Sequence, residues 1–129
     1  MTKHVISTLE APAAIGPYSQ AIRTGDTLWM SGQIPLDPVS MQIVEGGIEA
    51  QAQRVLHNMQ AVLKAAGGTL DDIVKLSILL VDLGDFVKVN EIMATAFRQP
   101  YPARSTYQVA ALPRGARIEI EAIAMLGGR

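Results

Sequence analysis

Cysteine is absent from the chain, and histidine is scarce, with two residues in 129. The first absence excludes disulfides, thiol nucleophiles, iron–sulfur clusters and Cys-based zinc sites, and two imidazoles cannot by themselves make a three-ligand zinc site. Aromatic residues are few, one Trp, three Tyr and two Phe, too thin a set for a base-stacking surface. Neither charge forms a block: 11 Lys plus Arg face 12 Asp plus Glu, a formal net charge of -1. A strongly electrostatic partner, nucleic acid or membrane, is therefore not expected. Apolar runs are short, and the stretch from Ile78 to Val81 falls far below the ~20 residues of a membrane helix. The first twenty residues hold Lys3, His4, Glu10, Pro12 and Pro17 without an apolar core segment, so no signal peptide is expected and the expected location is cytoplasmic. Metal and cofactor chemistry is not expected either. What remains is carboxylates, Arg, Lys, Tyr, hydroxyls and the backbone.

Against these absences stands an ordinary core composition, 49% hydrophobic and 18% charged. With no linker, repeat or charge run to divide it, the chain reads as a single domain over 1–129. A helix is predicted from about Ile48 to Ala66, where Ile48, Ala52, Val55, Leu56, Met59 and Leu63 recur at three- and four-residue steps and Gly67-Gly68 ends the run. A second is predicted from Leu83 to Arg98, capped by Asp82 or Asp85, with Phe86, Val89, Met93, Ala96 and Phe97 as its apolar stripe. Between them Ile73 to Asp82 reads as a strand, with Val74, Leu76, Ile78 and Leu80 on one face and Ile73, Leu79 and Val81 beside Lys75 and Ser77 on the other. Both faces are mostly apolar, yet two helices cover one side of a sheet at most, so another copy of the chain is the expected cover for the other. Shorter strands are predicted at Ala21 to Arg23, Thr27 to Ser31, Ala103 to Ala110 and Ile118 to Leu126, the first two joined by a Gly25-Asp26 hairpin turn. The order gives an α+β sandwich, a mixed sheet with two helices on one face.

Alternation in the last strand sends Ile118, Ile120, Ala122, Ala124 and Leu126 one way and Glu119, Glu121, Ile123 and Met125 the other. The two carboxylates lie about 6.5 to 7 Å apart along the strand. A wet face suits the carboxylates but not Ile123 and Met125, and a dry one the reverse; an interface holding a polar pocket suits all four, while a solvated surface strand is the plainer alternative. Arg104 enters its strand from Pro102-Ala103 and shares a face with Thr106 and Gln108. Its planar fork fits a carboxylate or phosphate, or else a structural ion pair. Tyr18 sits in a Gly-Pro turn, and Gly32 ends a strand where a glycine allows a ligand close to the main chain. Asn90 is either a satisfied buried amide or a pocket donor. His4 and His57 read as solvated, and Trp29 as core or interface packing.

Taken together, Ala-Ile-Gly-Pro-Tyr-Ser-Gln at 14–20, Ser-Gly-Gln-Ile-Pro at 31–35, Asp-Leu-Gly-Asp-Phe with Val-Asn at 82–90, Pro-Ala-Arg-Ser at 102–105 and Ile-Glu-Ile-Glu-Ala-Ile-Ala at 118–124 resemble the Rid family of reactive-intermediate deaminases, also called the YjgF or L-PSP endoribonuclease family. The resemblance spans nearly the whole chain. It implies a chorismate-mutase-like α+β fold, a homotrimer with sites in the clefts between subunits, and hydrolysis of 2-imino acids, such as 2-iminopropanoate and 2-iminobutanoate, to 2-oxo acids and ammonia. By the same resemblance Arg104 grips the substrate carboxylate, Glu119 orients and activates water, and the backbone of Thr106 orients the imine. Tyr18, Asn90 and Gly32 match pocket positions. Many members carry cysteine where Thr106 stands, so a thiol role is lost here. Two other classes compete: an endoribonuclease or translation inhibitor, which the balanced charge argues against, and a trimeric small-carboxylate-binding or holdase module, which the same carboxylate clamp would serve equally well.

Overall fold

The computed structural model describes residues 2–127. Six strands form one sheet: β1 His4–Ile6, β2 Ala21–Thr24, β3 Thr27–Gln33, β4 Ile73–Leu80, β5 Ala103–Gln108 and β6 Ile118–Met125, in the spatial order β1-β2-β3-β6-β4-β5. Neighbours are antiparallel except β4 and β5, which run parallel because the second helix carries the chain back between them. The helices are α1, Ile48–Ala65, and α2, Phe86–Ala96. The expected mixed sheet with two helices on one face is what the chain adopts.

The 3.6-residue spacing buries Ile48, Ala52, Val55, Leu56, Met59 and Leu63 on one side of α1, while Glu49, Gln53, His57 and Lys64 stay in water. Gly67 ends the helix in the left-handed region at φ 84°, where its lack of a Cβ removes the steric cost and the N–H of Gly68 reaches the Leu63 carbonyl at 2.8 Å. The second predicted helix is shorter than expected. Leu83–Asp85 is a 3-10 turn whose Gly84 N–H donates to Asp82 Oδ1 at 2.8 Å, and α2 starts only at Phe86. The Asp85 side chain makes no cap; its two oxygens accept from Arg117 Nη2 at 2.9 and 3.0 Å, tying the start of α2 to the residue that precedes β6.

Beneath the helices lie Leu28, Leu76, Ile78, Leu80, Ile118 and Ile120, almost fully buried, each adding about 1.5–3 kcal/mol by leaving water. Alternation holds along β6, with Ile118, Ile120, Ala122 and Ala124 inside. In β4 it breaks. The β4–β6 register shifts between Ile73 and Lys75, so Ile73 is buried with the core and Val74 is 45% exposed, the reverse of their expected faces. A bulge inserts one residue and flips the side chains before it. β1 was not foreseen, being three residues held only by β2. On the face away from the helices stand Trp29, Met125, Tyr107 and Val5, all exposed. Among the described residues no helix is long and apolar enough to cross a membrane.

Candidate active site

β5 is the edge strand next to β4, and its parallel register pairs Arg104 with Leu76, Thr106 with Ile78 and Gln108 with Leu80. Paired residues share a face, so all three turn toward the helices. Arg104 Nη1 donates to Asn90 Oδ1 on α2 at 2.7 Å, and its guanidinium carbon lies 5.3 Å from the centre of the Phe86 ring, close enough for the ring face to attract the cation. No described carboxylate pairs with Arg104. One neutral amide and one ring therefore orient the fork and leave the rest of it free for an anion. Asn90 is exposed, so it is not the buried amide of its first sequence reading, and its carbonyl receives the arginine. The guanidinium opens into a cavity of about 450 Å³ walled by Met93, Phe97, Tyr101 and Pro102. Thr106, two residues on, lies outside that lining. Its hydroxyl is the one buried side-chain polar atom among the described residues without a hydrogen-bond partner.

A second cavity, about 640 Å³, collects Tyr18, Gly32 and Glu119 with Glu121, Arg114 and Met41. Its walls are pinned by buried amides. Gln20 accepts from Thr8 N at 2.7 Å and donates to the Pro12 carbonyl at 2.8 Å, and Asn58 donates to the Leu36 carbonyl at 3.0 Å. Ser31 locks the end of β3 to the 19–20 segment, its hydroxyl donating to the Ser19 carbonyl at 2.5 Å and its N–H to Gln20 O at 3.0 Å. The Tyr18 phenol oxygen accepts from Ile15 N at 3.4 Å. In the 37–40 turn, the backbone N–H groups of Ser40 and Val39 hold the Asp37 carboxyl below its usual range. Burial, and secondarily the neighbouring Glu121 carboxylate, push Glu119 above the usual glutamate range.

Glu119 pairs with Leu79 and Arg104 with Leu76; the odd offset along β4 puts them on opposite sides of the sheet. The structure thus brings together Arg104 with Asn90, and Tyr18 with Gly32 and Glu119. It does not bring the two groups to one another within one chain. Sequence reasoning took Phe86 only for core stripe, and missed Arg114 and Met41. Both stand in the left-handed region, at φ 57° and 58°, and Arg114 Nη1 donates to the Met41 carbonyl at 2.6 Å. They are the two non-glycine residues of positive φ among those described. Pro113 and Gly115 around Arg114 signalled a turn, but nothing in the sequence linked that turn to residue 41.

The sequence profile of the family described as Endoribonuclease L-PSP matches residues 8–126. The chain belongs to this family. A mouse relative named 2-iminobutanoate/2-iminopropanoate deaminase is 54% identical over 97% of this chain and 93% of its own. A Rid-family protein of unknown function from Yersinia pestis superposes with a TM-score of 0.93 at 50% identity, covering 96% of this chain and 99% of that one. The E. coli protein TdcF, solved with bound serine, superposes at 0.87 with 39% identity, over 95% and 98% of the two chains. The sheet and its two helices are therefore an L-PSP fold in this chain.

Proposed function

We propose that this L-PSP protein hydrolyses 2-imino acids to 2-oxo acids and ammonia, in the cytoplasm, as a homotrimer whose sites lie between subunits. One observation carries the reading. The anion-binding arginine and the carboxylate base occupy opposite sides of one sheet, each at an open cavity, so only a second copy can bring an Arg104 to a Glu119. The large apolar side chains Trp29, Met125 and Tyr107 exposed on the uncovered sheet face support an interface there, since association would take them out of water.

At such a cleft the Arg104 fork, held by Asn90 and the Phe86 ring, binds the substrate carboxylate in two parallel hydrogen bonds. The backbone of Thr106 orients the imine nitrogen. Glu119 accepts a proton from water as its oxygen bonds to the imine carbon, and the carbon–nitrogen double bond becomes single. Glu119 passes that proton to nitrogen; the hydroxyl proton then follows by the same route as the carbon–nitrogen bond breaks, the carbonyl forms and ammonia leaves. Tyr18 and Gly32 line the water side. An imine carbon is already electrophilic, so positioning and one base suffice, and such a base contributes about 10²- to 10⁴-fold. Burial that raises Glu119 brings its proton affinity nearer the working range of a base, and the incoming arginine keeps it ionised. Support comes from the mouse deaminase and from TdcF, whose bound serine carries the carboxylate that Arg104 would grip. A ribonuclease reading fits less well: each cavity is lined by one arginine, Arg104 or Arg114, not by a phosphate track.

Subunit complementation tests the proposal. Arg104→Ala and Glu119→Ala should each fold and lose at least a hundredfold in 2-oxo acid release from an imine generated by a dehydratase. After subunit exchange in a one-to-one mixture, roughly a quarter of the clefts of a cyclic trimer regain both residues, and that share of activity should return. Two residues acting within one chain would give no recovery.

A further inference from the structure

Gly32 lies where β3 and β6 fall out of register. Met30 pairs with Ala122 and Gln33 with Ile120, so the two residues Ser31 and Gly32 stand against Glu121 alone. Its backbone is outside the left-handed region, hence no turn conformation demands a glycine here. Space does. A Cβ at this position would overlap Glu119 Oε2 outright, and would stand 2.9 Å from its Cδ and 3.1 Å from its Cγ. The room left by the missing side chain is filled by the Glu119 carboxyl group rather than held open for a ligand.

We propose that Gly32 is a positioning residue for the reaction: the bulge and the bare Cα form the seat that holds the Glu119 carboxylate half-buried at the cavity wall. The proposal rests on the deaminase reading for its effect on rate, while the seat itself is a property of the folded chain. Strand β3 supplies only the neutral Ser31 and Gln33 near it; the charged groups lining the same cavity are Glu121 from β6 and Arg114 from the turn before β6, with the Tyr18 phenol from the 14–20 loop beside them. A methyl group at residue 32 forces the carboxylate off the wall and toward water. Its proton affinity then falls toward that of an ordinary glutamate, and its oxygen no longer meets the water it must activate.

The test couples two sites. Gly32→Ala should lower kcat by about ten- to a hundredfold with KM changed less than about threefold, and move the acid limb of the kcat profile to lower pH. In the ligand-free protein, carbon NMR titration of the Glu119 carboxyl should show the same downward movement. Melting temperature gives a readout free of activity: Gly32→Ala should cost several degrees with Glu119 present and almost none on a Glu119→Ala background. A Gly32→Ala chain that folds only together with Glu119→Ala supports the seat equally. An equal loss on both backgrounds, or a Glu119 titration unmoved by Gly32→Ala, overturns the proposal. A wild-type protein without deaminase activity would overturn the functional reading instead, with the melts and the titration still deciding the seat.

Discussion

The two sides of the sheet are built from the same strands and obey different rules. Under the helices the inward positions of β4 and β6 are apolar and buried, Leu76, Ile78 and Leu80 beside Ile118, Ile120, Ala122 and Ala124, and a substitution there is answered by packing alone. On the other side, Trp29, Met125 and Tyr107 share the surface with Glu119, Glu121, Ser77 and Lys75. A mixed face of this kind is neither a finished core nor an ordinary wet surface. The proposed chemistry follows the same division, since Glu119 stands on the unfinished face and Arg104 at the rim of the finished one.

The largest effect that separates the two is expected from Ile78→Ala, whose fully buried side chain should cost about 2–5 kcal/mol in denaturant unfolding. Trp29→Ala, on the open face, should leave the folded secondary structure intact and instead weaken association, seen as a smaller species in sedimentation. Loss of folding without any change of assembly in that variant would mean the open face is an ordinary surface.

A smaller effect of opposite sign is expected at the boundary. Thr106 turns toward the helices yet buries an unpartnered hydroxyl, so Thr106→Val, nearly the same shape, should stabilise the chain by about 1 kcal/mol and raise the melting temperature by a few degrees. A lower melting temperature would show that the hydroxyl has a partner in the assembled protein.

The smallest effect concerns Glu119, whose raised proton affinity means the folded chain holds its proton to higher pH than the unfolded one. Its contribution is present below the ordinary glutamate range and declines as pH rises through the raised value. Glu119→Gln should therefore match the wild type in acid and become the more stable of the two above that window, in melts followed across pH. If an Arg104 from another copy reaches Glu119, the advantage shrinks on assembly, and melts at dilute and concentrated protein would differ.

Where period alone decides, the chain was legible. The α1 stripe and the β6 alternation follow from 3.6- and 2-residue repeats with no interruption, and both match the buried residues. Val74 was misplaced because the alternation presumes an unbroken ladder, and a bulge in β4 is set by pairing with β6 rather than by local composition. β1 was missed for the same kind of reason: His4-Val5-Ile6 is a strand only because β2 lies beside it. Asn90 had two readings in the sequence, a buried amide or a pocket donor, and the fold excludes the first by leaving it exposed with its oxygen on Arg104.

By itself the sequence determined the α+β class, the two helical stripes, the buried face of β6 and the short set of candidate polar residues, because each depends on spacing or on residue type along one segment. Tertiary structure alone decided that Arg104 and Glu119 look away from each other, that Met41 and Arg114 meet across 73 residues, and that Gly32 is bare to make room for a carboxylate. Those are relations between strands, set by register, bulge and crossover, and no local pattern carries them.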